Sequence, residues 1–299
     1  MRAVVQHGTG GPEVLKVEER PEPQRQRGEV LVRTEAIGVP FYETQVRSGL
    51  APAGPEPTIF GHEAAGIVLE ADDPALRGRR VVTMSFTGGA YAEVVAAGQY
   101  TLVPDDLTPV QAVAAAVPAS VALALVNTAN VRAGETVLVE AASGAIGSYL
   151  AKLATQRGAT VVATAGKGKA DVDHDDPDWR QKVPDGIDVV FESIGGPRAA
   201  ELTEKLAPFG RILAYGLLSG EFPTFPVAGL AARGITLIGF GGLDAYAKQV
   251  AAVRAEALGL VADGTLTPVI DRTYPLADVA AAHARVESRE GVGKVVLVP

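Results

Sequence analysis

Thr136-Val-Leu-Val-Glu-Ala-Ala-Ser-Gly-Ala-Ile-Gly-Ser148 reads as a buried strand, a turn of small residues and the start of a helix. Its turn, Ala142-Ser-Gly-Ala-Ile-Gly147, has the A-x-G-x-x-G form of a dinucleotide-binding loop. Small residues are needed there because a side chain would keep the backbone away from a pyrophosphate. That group rests on the N–H groups of the following helix's first turn. The same residues would also make an ordinary glycine-rich turn between strand and helix. Position favours the nucleotide reading, since the motif closes an apolar run and opens a helix.

Working outward, apolar strands alternate with helical patterns from about Leu107 onward. Val137-Leu-Val139 is followed by a helix over Ser148 to Arg157, then by Thr160-Val-Val-Ala-Thr164. Asp188-Val-Val-Phe191, a helix near Arg198 to Leu206, Arg211-Ile-Leu-Ala-Tyr215 and Ile235-Thr-Leu-Ile-Gly-Phe240 continue the run, and a helical pattern from Ala245 to Ala262 closes it. Continuous Val/Ile/Leu strands between helices imply a parallel sheet covered on both faces, with ligands at the carboxyl ends of its strands. The first hundred residues differ. Ala3-Val-Val5, Val14-Leu-Lys-Val17, Glu29-Val-Leu-Val-Arg-Thr34, Ala64-Ala-Gly-Ile-Val-Leu69 and Arg79-Arg-Val-Val-Thr83 are short strands separated by Gly and Pro clusters. They predict a small barrel or folded sheet. The tail returns to strand, helix, strand, and Lys294-Val-Val-Leu-Val298 is expected to rejoin the first domain.

The whole chain sets further bounds. Its 299 residues suit about two domains, and 47% hydrophobic with 21% charged residues is globular composition. A formal net charge of -8 argues against a nucleic-acid partner. Cysteine is absent, which excludes disulfides and thiolate metal sites. Met1-Arg-Ala-Val-Val5 runs into a strand-and-turn pattern rather than a signal peptide, so a cytoplasmic location is expected. Leu107 to Val131 carries no charge and is long enough to span a bilayer, but it is rich in Ala and interrupted by Pro118. Two short buried helices flanking Pro118 are expected instead, and no membrane partner.

Five pieces carry a resemblance: Gly61-His-Glu-Ala-Ala-Gly-Ile-Val68, Gly88-Gly-Ala-Tyr-Ala-Glu93, the loop Ala142 to Gly147, Asp188-Val-Val-Phe-Glu-Ser-Ile-Gly-Gly196 and Gly293-Lys-Val-Val-Leu297. Together and in this order they resemble the medium-chain dehydrogenase/reductase superfamily, in its zinc-independent quinone oxidoreductase branch, over essentially the full length. The resemblance implies an α/β protein with a GroES-like β-rich substrate domain over 1–117 and 264–299. A Rossmann domain, a doubly wound parallel sheet, would occupy 118–263. It also implies that a nicotinamide dinucleotide lies in the cleft between the two.

Zinc alcohol dehydrogenases of this superfamily take catalytic zinc on Cys, the His of the GHE motif, and Cys or Glu. This chain keeps His62, but Ile37-Gly-Val-Pro-Phe-Tyr-Glu43 holds no ligand at the usual place. The other histidines, at positions 7, 174 and 283, are scattered. No metal site is expected, and His62 is read as a hydrogen-bonded residue retained with the motif. Without a Lewis acid a simple alcohol is poorly polarised, whereas a quinone or an alkene conjugated to a carbonyl accepts hydride and leaves charge on an oxygen that needs only a hydrogen bond or a proton. The expected activity is therefore reduction of a small-molecule quinone or enone. An enoyl-thioester reductase and a non-catalytic cofactor-binding sensor or structural protein stand as alternatives.

An acid about 20 residues after the glycine loop marks NAD specificity. Here the second Rossmann strand ends Ala163-Thr-Ala-Gly-Lys-Gly-Lys169, with no carboxylate before Asp171. Lys167 and Lys169 suit a 2′-phosphate, which favours NADPH, although solvated loop lysines would read the same way. Ala170-Asp-Val-Asp-His-Asp175 replaces the helix usual in the family and leaves the adenosine pocket more open, with His174 packing there or standing exposed.

Quinone reductases of this type commonly carry Asn-Phe-x-Asp-x-Tyr where this chain reads Pro40-Phe-Tyr-Glu-Thr-Gln45. Tyr42 is the candidate hydroxyl donor to the developing oxyanion, or equally a packing tyrosine. For the cofactor, Ser143, Gly144, Ala145, Ile146 and Gly147 are expected around the pyrophosphate. Thr164 and Ser193 end strands, as does Gly216, while Phe240, Gly241 and Gly242 are expected by the nicotinamide. Lys294 is expected near the cofactor. The apolar strand Ile235 to Phe240 predicts a homodimer, since such an edge needs covering.

Overall fold

The computed structural model describes residues 1–51, 58–85, 88–240 and 244–299, without the side chains of Asp244 and Ala245. The chain divides into two compact units, Met1–Val117 with Arg254–Pro299, and Pro118–Val253.

The first unit opens with β1 (Arg2–Gln6), β2 (Leu15–Glu19), β3 (Val30–Val39), α1 (Phe41–Ser48), β4 (Thr58–Ile59), β5 (Glu63–Glu70), β6 (Arg80–Met84), β7 (Val94–Ala97), β8 (Gln99–Leu102) and α2 (Pro109–Ala116). The second runs α3 (Pro118–Ala129), β9 (Thr136–Val139), α4 (Ala145–Gln156), β10 (Thr160–Ala165), β11 (Val172–Asp173), α5 (Trp179–Lys182), β12 (Ile187–Glu192), α6 (Arg198–Lys205), β13 (Leu206–Ala214), α7 (Val227–Arg233), β14 (Thr236–Gly239) and α8 (Asp244–Ala252). The chain then returns to the first unit through α9 (Arg254–Ala262), β15 (Ile270–Pro275), α10 (Val279–Ser288) and β16 (Lys294–Val298).

In the second unit the strand order is β11-β10-β9-β12-β13-β14, and every pairing is parallel. Val137, Leu138, Val139, Val189, Val190 and Phe191 are all fully buried, as central strands covered on both faces must be. Burying each such side chain stabilises the fold by roughly 1.5–3 kcal/mol before chain entropy is charged against it. The chain order reverses between β9 and β12, and such switch points are where open parallel sheets bind ligands.

The first unit is largely antiparallel, a sheet in the order β15-β16-β3-β5-β6-β8, with β7 also paired to β3 and a second sheet β2-β1-β4. The C-terminal strand β16 lies antiparallel to β3, as the tail predicts. A core of Val4, Ile37, Phe60, Tyr91, Leu276 and Leu297 joins residues from both ends of the sequence.

Two expectations meet different outcomes. Pro109 to Ala129 has a mean hydropathy of 1.9, yet 72% of its most apolar stretch is buried within the protein, and it divides at Val117 into α2 and α3. Pro118 opens α3, where its missing N–H costs nothing. The pattern from Ala245 to Ala262, read as one helix of the second domain, is instead two. It breaks at Val253, and α9 belongs with α2 and β8, so the first unit resumes at Arg254 rather than at 264. Helical periodicity marks the apolar face of each half but not the core that face joins.

Candidate active site

The carboxyl ends of the parallel strands carry the first group of candidate residues. Beyond β9, Ala141 adopts a left-handed backbone (φ 49°), unusual for a residue with a Cβ, and its carbonyl accepts the Gly144 N–H at 2.8 Å. Ala142 N–H donates to the Thr164 carbonyl at 2.9 Å and ties the loop to β10. A Cβ on Gly147 would stand 2.2 Å from the Ala141 oxygen, so only glycine lets α4 approach the loop this closely. Gly144 is the N-cap of α4 and no side chain caps the first turn, which leaves its donors to an outside acceptor. Ser143, Ala145 and Ile146 are half-buried around them.

On the next strands Thr164 and Ser193 are buried, and Thr164 Oγ1 has no hydrogen-bond partner among the described residues. A Cβ on Gly216 would stand 2.5 Å from the Ser193 carbonyl. The cradle a Cβ would fill and the buried hydroxyl without a partner both fit a dinucleotide.

At the end of β10, Lys167 is exposed and left-handed (φ 57°). Its N–H donates to Asp175 Oδ2 at 3.1 Å, while Gly168 N–H donates to Asp173 Oδ2 at 2.7 Å. No helix intervenes between Gly166 and β11, in line with the missing segment. A Cβ on Gly166 would meet Asp175 Oδ2 at 2.6 Å and His174 Nε2 at 2.8 Å. The turn thus brings a carboxylate beside a strand end that lacks one in sequence. His174 packs against this turn, largely buried, and its carbonyl accepts Arg198 Nη1 at 2.7 Å. Phe240 is buried against Tyr246, ring centroids 4.2 Å apart. Gly241 and Gly242 lie outside the described residues.

Two acids at these strand ends escape a reading by motif. Glu140 follows β9 and Glu192 ends β12, both buried, with Glu140 accepting the Ser193 N–H at 3.1 Å and Glu192 the Ile194 N–H at 2.9 Å. Burial, and then the charge of Glu192, push the Glu140 carboxyl up to about 8, and burial raises Glu192 as well. Arg198, stacked over Trp179, stands 3.8 Å from Glu140. A charge closing an otherwise apolar strand, as in Val-Leu-Val-Glu140, was the signal available.

The second group lies in the first unit. Gly61 is left-handed (φ 92°), and a Cβ there would fall 1.9 Å from the Tyr91 ring. That turn places His62 against α1, where Glu43 Oε1 accepts both the His62 main-chain N–H at 2.8 Å and Nδ1–H at 2.9 Å. Tyr91, from the Gly88 to Glu93 motif, donates its hydroxyl to Glu43 Oε2 and lies 3.2 Å from His283 Nε2. Burial raises the Glu43 carboxyl, opposed by His62 and Tyr91. Tyr42 is 51% exposed on α1 rather than on a strand, with its ring edge-on to His62 at 6.0 Å. Lys294 Nζ is buried in an ion pair with Glu63, whose space Gly38 provides. The roles of Glu43 and Tyr91 are not legible in sequence, because each gains its role from the other.

Zinc does not fit this site. The chain has no cysteine, and among the described residues no three His, Asp or Glu side chains are grouped to hold a metal.

Comparison with known proteins agrees with this architecture. Residues 26–160 match the family described as alcohol dehydrogenase GroES-like domain, and residues 157–297 the one described as zinc-binding dehydrogenase. The chain is 32% identical to human quinone oxidoreductase over 327 residues, covering 100% of this chain and 98% of that protein. It is 30% identical to the human synaptic vesicle membrane protein VAT-1 homolog, covering 100% and 86%. The crystal structure of Escherichia coli quinone oxidoreductase complexed with NADPH superposes with a TM-score of 0.92 at 25% identity over the whole of both chains. With a GroES-like domain, a parallel nucleotide-binding sheet and full-length similarity to quinone oxidoreductases, the chain belongs to the medium-chain dehydrogenase/reductase family, on its quinone oxidoreductase branch.

Proposed function

We propose that this protein is an NADPH-dependent, metal-free reductase that passes hydride to a quinone or an α,β-unsaturated carbonyl. The observation that carries the reading is the donor set around His62. The histidine that takes zinc in alcohol-oxidising members of the superfamily has here no thiolate anywhere in the chain and, among the described residues, no group of three ligand side chains to belong to. A site of this kind suits an acceptor that is already electrophilic. The relatives named quinone oxidoreductase and the NADPH-bound neighbour support the same class.

A bound nicotinamide supplies the hydride. The chain's own part is to seat the cofactor's phosphates on the first turn of α4 and the loop from Ser143 to Gly147, with Thr164, Ser193 and Gly216 along the strand ends. Lys167 and Lys169 neutralise the 2′-phosphate, and Asp175 braces their turn. Phe240 borders the nicotinamide. Tyr42 offers a hydroxyl to the acceptor's oxygen. The protein works as a homodimer paired through β14.

The test is steady-state NADPH oxidation with 1,4-benzoquinone and with 3-penten-2-one. Turnover is expected with at least one of them and is expected to survive a metal chelator. Tight NADPH binding without turnover on either would leave the sensor reading in its place.

A further inference from the structure

The network around Glu43 has a direction. Tyr91 has one hydroxyl proton and gives it to Glu43, so the 3.2 Å contact with His283 is made by the His283 Nε2–H donating to the Tyr91 oxygen. His283 is thereby fixed as one neutral tautomer with Nδ1 buried and unpartnered. Burial, and then the charge of Arg47, push its pKa down to about 3. Protons from both sides therefore point at the Glu43 carboxylate. Glu43, Tyr91 and His283 have no exposed surface, whereas the His62 side chain is 19% exposed. Its Nδ1 is held by Glu43, which leaves Nε2 as the ring nitrogen able to serve an outside acceptor.

We infer that His62 is the proton donor of this reductase, delivering the Nε2 proton to the acceptor's oxygen, with Glu43 as the positioning residue that holds Nδ1–H. The inference rests on the reductase reading. As hydride adds to the acceptor, its π electrons move onto the carbonyl oxygen. The N–H bond at Nε2 breaks, an O–H bond forms, and the imidazolium becomes a neutral imidazole still bonded to Glu43. Water returns the proton before the next turnover. The groups facing His62 are Glu43 and Tyr42 from α1, Glu63 from β5, whose charge is paired with Lys294, and Phe60. Burial pulls the imidazolium's pKa down, but the hydrogen bond and charge of Glu43, with Glu63 behind them, outweigh it and hold it above the ordinary 6.5. A shift in this direction extends the protonated form toward neutral pH, where a general acid is most effective.

Wild type, His62→Gln and Glu43→Gln, each first titrated with NADPH by nucleotide fluorescence, are assayed with 3-penten-2-one and 1,4-benzoquinone from about pH 5 to 9. His62→Gln is expected to lower kcat on the enone by about 10²–10³ with little change in KM, and to abolish the alkaline limb of the profile. The quinone, whose reduced oxygen is far less basic than an enolate, is expected to lose less. Glu43→Gln is expected to move the alkaline limb to lower pH. If that buried substitution does not fold, His62→Gln, at a partly exposed position, decides alone. Undiminished enone turnover by His62→Gln with the limb intact overturns the inference and leaves the reductase reading standing. Failure of wild type on both acceptors overturns the two together.

Discussion

Gly147 shows how one residue type is dictated by a single contact. Its missing Cβ would lie 2.2 Å from the Ala141 carbonyl, a backbone atom that cannot swing aside. Gly147→Ala is therefore expected to displace the loop or α4, costing on the order of 1–3 kcal/mol in thermal unfolding and weakening NADPH binding in a fluorescence titration. Glu140 leads to a prediction of a different kind. Its carboxyl, at about 8 in the folded protein against an ordinary 4.5, is protonated when native and ionises freely when unfolded. The stability it contributes is thus complete below about 4.5 and is lost as pH rises through about 8. Wild type should melt at lower temperature at pH 8 than at pH 5, and Glu140→Gln should flatten that slope. At Lys167 and Lys169 the expectation concerns selectivity. The double substitution to Glu should raise KM for NADPH by about tenfold or more while changing KM for NADH little, since the two cofactors differ only in the charge these lysines would meet.

Among the elements, α2 is specified most completely by its own sequence. Thr108 Oγ1 accepts the Gln111 N–H at 3.2 Å, Gln111 Oε1 accepts the Thr108 N–H at 3.0 Å, and Pro109 opens the helix. Thr108→Ala should cost about 1 kcal/mol in denaturant unfolding, without effect on turnover. The break between α2 and α3 at Pro118 was legible for the same reason, because a missing N–H acts locally. The break between α8 and α9 was not. Nothing in Ala245 to Ala262 forbids a continuous helix, and the interruption at Val253 coincides with the change from one core to the other.

At the scale of the whole molecule, β14 is the last strand of the parallel sheet among the described residues, paired on one side with β13. Leu237 on it is 43% exposed, and Phe222 and Val227 of the same unit are more exposed still. An apolar edge of this kind invites a second strand. Sedimentation at micromolar protein is expected to show a dimer, and Leu237→Lys a monomer whose melting temperature is little changed. A wild-type monomer would remove the proposed pairing.

What the sequence determined by itself is what nearest neighbours enforce. Thr136 to Ser148 specified strand, turn and helix because small residues are demanded by local backbone geometry, and the alternation of apolar strands and helices specified a parallel sheet. The absence of cysteine bounds the chemistry whatever the fold. Only the tertiary structure decided which distant side chains share a proton. Glu43, His62, Tyr91 and His283 meet through hydrogen bonds between residues 19, 48 and 192 positions apart. Asp175 reaches the end of β10 only because the intervening turn folds back on itself. Such contacts leave no periodicity in the chain, since a hydrogen bond depends on where two groups stand in space and not on how many residues lie between them.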